Sequence, residues 1–239
     1  MARCFIIPAK MNRDELSRIA HDRLYPSLRN PNYLVLRARR RIFTEWLKSL
    51  KSKLDVLDVG GRYQPYRPLL EGKLNRYFAL DMQATLFVNV VGSGESIPFR
   101  NASFDLVIAT QVFEYFEKPH EAAKEIHRVL RSGGTLLMSV PSFAPRFGDE
   151  DCWRYTPRAL RSVLADFSRV TIRPEVTSIG GVFRFANLCI HDFLKLQLLR
   201  ALYRAIVCPV VNLLGSGLDR AFQSPDDRWT ANYSVMAIK

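Results

Sequence analysis

The chain has 239 residues, 48% of them apolar and 24% charged, with a formal net charge of +12. That length and apolar content suit one sizeable buried core with appendages. Four cysteines, Cys4, Cys152, Cys189 and Cys208, show no CxxC spacing and no His partner at ligand spacing, which argues against a zinc site, leaves no metal expected, and excludes a disulfide framework. A reduced cytoplasmic protein is the simplest expectation.

The N-terminal stretch Met1 to Lys10 is interrupted by Pro8 and too short for a secretory leader. Residues 1–53 hold thirteen Lys and Arg against Asp14, Glu15, Asp22 and Glu45. Such a basic arm suits phosphates, whether on nucleic acid, lipid or a phosphorylated substrate, and equally suits a solvated helix surface. Its densest run, Arg37 to Arg41, falls in a predicted helix from Tyr33 to Leu50 with Leu34, Leu36, Ile42, Phe43, Trp46, Leu47 and Leu50 as the apolar face. On a helix those arginines spread around the surface, which disfavours nucleic acid as a partner.

Short apolar strands are expected near 54–59, 76–81, 86–91, 104–109 and 134–140, each of the kind buried on both faces. A helix from His120 to Arg131 is expected to stop at Ser132, Gly133 and Gly134. Another, from Pro157 to Ala165, has Thr156 as its N-cap and proline at the first helical position. Strands near 168–173 and 232–238 complete an alternation that predicts a mostly parallel sheet.

Before the last strand comes Val182 to Phe222, helical in composition and apolar on nearly every face from 185 to 214, with Lys195, Arg200 and Arg204 not gathered on one side. Pro209 is expected to split it in two. Its longest uncharged run, Ala205 to Leu218, is shorter than the roughly 18 to 20 apolar residues of a spanning helix, so no crossing of a membrane is expected. A helix apolar all round packs as a lid, pairs with a second copy or lies on a bilayer surface, and these three stay open. The organisation expected is a basic helical extension at 1–53, a core at 54–180, an apolar insertion at 181–222 and a closing strand at 223–239.

The most informative string is LDVLDVGGRYQPY, Leu54 to Tyr66, followed by the lone Asp81 that ends RYFALD. A strand that stops at an acid and turns on Gly60 and Gly61 lets backbone N–H groups come close to a ligand. An acid some twenty residues on sits where a nucleotide ribose is met. A nicotinamide fingerprint fails, because GGRYQP lacks its third glycine. Further strings follow in order: PYRPLL (Pro65 to Leu70), VNVVGSGESIPF (Val88 to Phe99), NASFDLVIATQVFEYFEKP (Asn101 to Pro119), EAAKEIHRVLRSGGTLLMSVPS (Glu121 to Ser142) and DCWRYTPRAL (Asp151 to Leu160).

In these motifs, over Leu54 to Ile172, the chain resembles the class I S-adenosylmethionine-dependent methyltransferases, most of all those encoded among polysaccharide, glycolipid or natural-product genes. The resemblance implies an α/β Rossmann-like fold, a mostly parallel seven-stranded sheet with flanking helices, and S-adenosylmethionine as cofactor. It implies Asp58, Gly60 and Gly61 at the amino-acid part of the donor, Asp81 on the ribose hydroxyls and Met82 on the adenine. Ser93, Gly94 and Glu95 would line the adenine edge, and Gln111 would lie beneath the methionine part. The chain departs from the family pattern at four places. Arg62 and Gln64 replace loop glycines, Ser93 replaces an acid, Tyr115 replaces a histidine after the fourth strand, and Glu150 replaces another before the tryptophan motif. Glu150, Asp151 and Tyr115 are the candidate catalytic residues, a carboxylate near an apolar pocket being raised toward the working range. The DCWRYT string has an equally good structural reading, with Trp153 in the core and Arg154 paired to an acid. The implied acceptor is an oxygen or nitrogen of a sugar, glycolipid or small metabolite, with a phosphorylated one favoured by the basic arm. The alternative is a degenerate domain of this fold that binds a partner through the insertion.

Overall fold

The computed structural model describes residues 11–222 and 226–239, so Cys4 and the stretch weighed as a leader lie outside the described residues. One sheet holds seven strands: β1 (Leu54–Val59), β2 (Leu74–Asp81), β3 (Val90–Val91), β4 (Phe104–Thr110), β5 (Leu130–Pro141), β6 (Arg169–Pro174) and β7 (Asn232–Ile238). Their order is β3-β2-β1-β4-β5-β7-β6. Pairing is parallel from β3 to β5, while β7 runs antiparallel to β5 and β6. Strand order reverses between β1 and β4, and such a switch point opens a crevice beyond the carboxyl ends of the strands.

Side chains alternate faces along each strand. On one face Leu57, Val107 and Leu136 meet Ala122, Ile126 and Val129 of α3 (Pro119–Val129) and Leu160 of α4 (Pro157–Val163). On the other, Val56, Leu106, Ile108 and Leu137 meet Ile42, Phe43, Trp46 and Leu47 of α2 (Tyr33–Lys48). The second half of the basic extension is therefore a structural layer. Between β1 and β2 the chain makes only a 3₁₀ turn, Arg67–Leu70, and α2 shields the apolar surface left on this face. The N-terminal α1 (Arg13–Leu24) begins with a reciprocal cap between Asn12 and Glu15. Of the arginine run, Arg37 and Arg41 are exposed and Arg39 is buried, so the spread around the helix is real.

Four expectations are corrected. Helix α3 ends at Val129 and passes directly into β5; Gly133, at φ +72°, and Gly134 lie within the strand, where pairing jumps from Phe104–Leu130 to Leu106–Thr135. Glycine there relieves a bulge. The strand at 86–91 shrinks to Val90–Val91, because Asn89 satisfies Ala79 with its side-chain oxygen and backbone N–H before the ladder starts. Pro209 does not split the insertion. The break falls after α5 (Ser178–Phe193), and helix then runs from Gln197 to Ala221 as α6 (Gln197–Leu202), a π turn (Tyr203–Val207) and α7 (Cys208–Ala221). The wider turn just before Pro209 is the kind of local adjustment that absorbs a ring and a missing N–H. By length and composition this continuous helix is long enough to cross a membrane, against the expectation from its uncharged run, and 22% of its most apolar window is buried.

Asn187 and Asn212 tie α5 to α7 at 2.9 Å, and Asn212 Nδ2 donates to Leu28 O at 2.8 Å. Phe193, Leu196, Leu198 and Ile206 stay exposed.

Candidate functional site

A cavity of about 870 Å³ opens at the crevice. Ligand pockets usually span roughly 300–1,000 Å³, so this one has room for a donor and an acceptor together. Its walls differ in kind. Gly60, Leu80, Asp81, Met82, Gly92, Ser93, Gly94, Glu95 and Gln111 make one half, and Asn30, Asn32, Arg39, Glu114, Arg184 and Asn232 contribute a more polar second half.

The first half is shaped by strand ends. Gly60, at φ +78°, leaves β1 in a left-handed turn, and its N–H donates to Leu80 O at 2.8 Å. A Cβ at Gly60 would stand 2.9 Å from Val112, and one at Gly94 would stand 2.6 Å from Phe116 and 2.8 Å from Val59. Both positions need bare backbone. Gln64, where the family has glycine, keeps a left-handed φ of +51°, held by Nε2 donating to Phe87 O and Oε1 accepting from Arg67. The departure in sequence thus preserves the backbone conformation a glycine would serve. Gln83 N–H donates to Asp81 Oδ1 at 2.9 Å and orients that carboxylate. Gln111 is left-handed at φ +52°, with its N–H on Ser139 O at 2.8 Å. Strain of roughly 1–2 kcal/mol in a non-glycine residue of this kind is typical of ligand-facing positions.

Of the residues named from sequence, Gly60, Asp81, Met82, Ser93, Gly94, Glu95, Gln111, Tyr115 and Glu150 line this cavity, whereas Asp58, Gly61 and Asp151 stand behind its wall. Asp58 is buried, accepts from Tyr77 OH at 2.6 Å, and is pushed up to about 7 by burial. Glu95 Oε1 accepts from Lys118 N, which fixes that side chain in the loop. None of residues 197–222 lines the cavity, so α5 alone brings the insertion to it, through Arg184.

The catalytic candidates divide. Asp151 is engaged twice by Arg154, at 2.6 and 2.7 Å, and by Phe147 N–H. Burial pushes its carboxyl up, yet those bonds outweigh burial and hold it below the ordinary range, contrary to the raised value expected from sequence. Arg154 thus takes the structural pairing, while Trp153 sits 42% exposed with Nε1 donating to Phe116 O and not in the core. Tyr115 is pushed up by burial and stays a phenol at neutral pH, fit for a wall and not for a base. Glu150 lies exposed on the rim.

The acid that sequence reasoning missed is Glu114. It is 3% exposed, its Oε2 has no hydrogen-bond partner, and burial pushes it up to about 7. A signal existed: a lone carboxylate inside Val-Phe-Glu-Tyr-Phe is costly to bury without use. Arg39 and Arg184 were missed too, and Arg184 is the one charge in SIGGVFRFANLCI. Among the described residues no group of His, Cys, Asp and Glu is placed to hold a metal ion.

Comparison with known proteins bears on this cavity. Residues 57–138 match the family described as methyltransferase domain. An uncharacterized methyltransferase of Schizosaccharomyces pombe is 32% identical over 109 residues, covering 40% of this chain and 43% of that protein. The mitochondrial 2-methoxy-6-polyprenyl-1,4-benzoquinol methylase of Leishmania donovani is 29% identical over 133 residues, covering 44% of this chain and 45% of that protein. The matched part is less than half the length of these curated relatives. A SAM-dependent methyltransferase from Archaeoglobus fulgidus superposes with a TM-score of 0.52 at 14% identity, over 93% of this chain and 99% of that one, which establishes the shared fold. With the strand order, the bare-backbone turn and the matched region together, residues 57–138 are a methyltransferase domain set in the Rossmann-like fold of the class I S-adenosylmethionine-dependent methyltransferases, with S-adenosylmethionine as cofactor.

Proposed function

We propose that this domain transfers a methyl group to an oxygen or nitrogen of a small polar acceptor, a sugar, glycolipid or related metabolite. One observation carries the reading: a single cavity joins a glycine-lined half, where a Cβ would collide, to a half lined by polar side chains, and the segment leaving β4 gives Gln111 to the first and Glu114 to the second. Bound S-adenosylmethionine supplies a methyl group on a sulfonium, whose transfer leaves a neutral thioether and frees one proton from the acceptor O–H or N–H.

Asp81 would hold the ribose hydroxyls, since an ionised carboxylate accepts at both oxygens. Gly60 and Gly94 would admit the donor against the backbone. Glu114 would take the acceptor's proton on Oε2, because a carboxylate near 7 is poised between its two forms at neutral pH. Holding the two reactants in line supplies much of the acceleration, about 7–11 kcal/mol in well-oriented models.

The test is S-adenosylmethionine binding by calorimetry, with Asp81→Ala as control. Binding in the wild type and its loss in the variant support the proposal. A folded protein without donor binding overturns it in favour of a degenerate scaffold that serves a partner.

A further inference from the structure

Four buried side-chain atoms among the described residues have no hydrogen-bond partner: Glu114 Oε2, Arg184 Nη1, Asn232 Oδ1 and Ser216 Oγ. The first three belong to residues that line the cavity. Buried polar groups are nearly always satisfied, and an orphan asks for an explanation. Three such atoms on residues that line one space call for one explanation, and a ligand in that space would satisfy them.

Arg184 says what kind. It is 3% exposed on α5, and its Nε donates to Asn32 Oδ1 at 3.1 Å. It has no carboxylate of its own. The nearby Glu175 is fully engaged: Oε1 accepts from Arg39 Nε, Ser139 Oγ and Ser234 Oγ at 2.7, 2.6 and 2.9 Å, and Oε2 from Arg39 Nη2 and Asn232 Nδ2 at 3.0 and 3.1 Å. Two guanidiniums thus share a buried region in which Glu175 is saturated and the other carboxylate, Glu114, is pushed toward its neutral form by burial and leaves Oε2 without a partner. Burial first, then Arg39, pull the Arg184 guanidinium down to about 10, so it remains a cation at neutral pH. An unmatched buried cation destabilises a fold unless an anion completes it. Asn232 adds polarity of the other sense. Its Nδ2 must face Glu175, which fixes the amide so that Oδ1 is the free atom and requires a donor.

Resting on the methyl-transfer reading above, we infer that the acceptor half of the cavity binds a small molecule carrying an oxyanion, a carboxylate or a phosphate monoester, with the oxyanion on Arg184 Nη1 and a neighbouring hydroxyl or amine donating to Asn232 Oδ1. The acceptor is then an anionic metabolite that also presents a donor group. Its charge is read by a residue of the insertion and not by the exposed arginines of α2.

The experiment uses the full chain and two probes, inorganic phosphate and acetate, each against chloride of equal ionic strength, with thermal stabilisation and titrated affinity as readouts. Wild type is stabilised by at least one probe beyond the chloride control, and which of the two is the stronger tells phosphate from carboxylate. Arg184→Met lowers affinity for that probe by roughly 10- to 150-fold, the measure of one hydrogen bond to a charged group. Without ligand the same variant melts at or above the wild-type temperature, since it removes an unmatched charge; a purely structural arginine would give a lower melt. Arg184→Lys, should the methionine variant not fold, keeps the charge and retains weakened binding. Arg37→Ala, on the exposed surface of α2, leaves the effect intact. Equal response to probe and chloride, or a response lost in Arg37→Ala and kept in Arg184→Met, overturns the inference. Asp81→Ala retains the anion response, so failure of the donor reading and failure of this one are separately visible.

Discussion

The two halves of the cavity are built by different means. The donor half comes from strand ends and the turns that follow them, and its key atoms are backbone: Gly60 beside Val112, Gly94 beside Phe116, the N–H of Gln83 on Asp81. The acceptor half is made of long side chains from residues 30–39, 114, 184 and 232, brought together from most of the chain's length. A half made of backbone can be written in a short local motif and serves one invariant ligand. A half made of converging side chains changes with any of several distant segments, and under the proposed function acceptor choice falls there.

Removing the carboxylate that holds Arg39 and Asn232 from behind the cavity wall breaks this contrast most strongly. In Glu175→Ala the buried Arg39 loses both its bonds to that carboxylate, and a fold stripped of one partner of a buried pair loses about 3–5 kcal/mol. Urea denaturation reads the loss. An unchanged midpoint would mean that the two halves do not depend on this pair.

Titration sharpens the contrast next. Glu114 has an ordinary value of 4.5 and is held near 7 in the folded protein by burial. The folded state therefore binds the proton more tightly than the unfolded one, and stability falls as pH rises from about 4.5 to about 7, by about 3 kcal/mol, then levels off. Asp58, raised from 3.8 to about 7, adds a slope of the same sign. Glu114→Gln should flatten its part of the slope in a series of denaturation curves. If wild type and variant run parallel across that window, Glu114 is not the buried, undercompensated acid described here.

The smallest effect addresses the donor half alone. Gly94→Ala forces a methyl against Phe116 and Val59, and overpacking of this sort costs about 1–3 kcal/mol. S-adenosylmethionine affinity should fall roughly 5- to 150-fold by calorimetry, while stabilisation by phosphate or acetate stays at wild-type strength. Loss of both would show that the halves are one unit.

The same contrast accounts for what sequence reading could reach. Strands β1, β4 and β7 were placed to within a residue, because continuous apolar runs mark strands buried on both faces. That Gly60, Gly94, Asp81 and Gln111 line one cavity was legible because each stands at a strand end or in a turn of recognisable composition. The β5 bulge was misread as a helix stop, since glycine serves both and only pairing with β4 distinguishes them. Pro209 was misread because a π turn, which leaves no mark in composition, relieves it. Glu114 and Arg184 escaped for a different reason. Each is a single charge in an apolar string, and what it faces depends on segments far away in sequence.

Arg39 and Glu175 are 136 residues apart. At the usual 5–20 residues per second of synthesis, α2 leaves the ribosome roughly 7 to 27 s before its buried partner exists. For most of that interval Ile42, Phe43, Trp46 and Leu47 also await Leu106, Ile108 and Leu137 to cover them, and a nascent chain in this state is a natural client for a chaperone. Yield of soluble protein should thus depend on the pace of translation between the second helix and the sixth strand, a property set at the level of the message and invisible in the finished molecule.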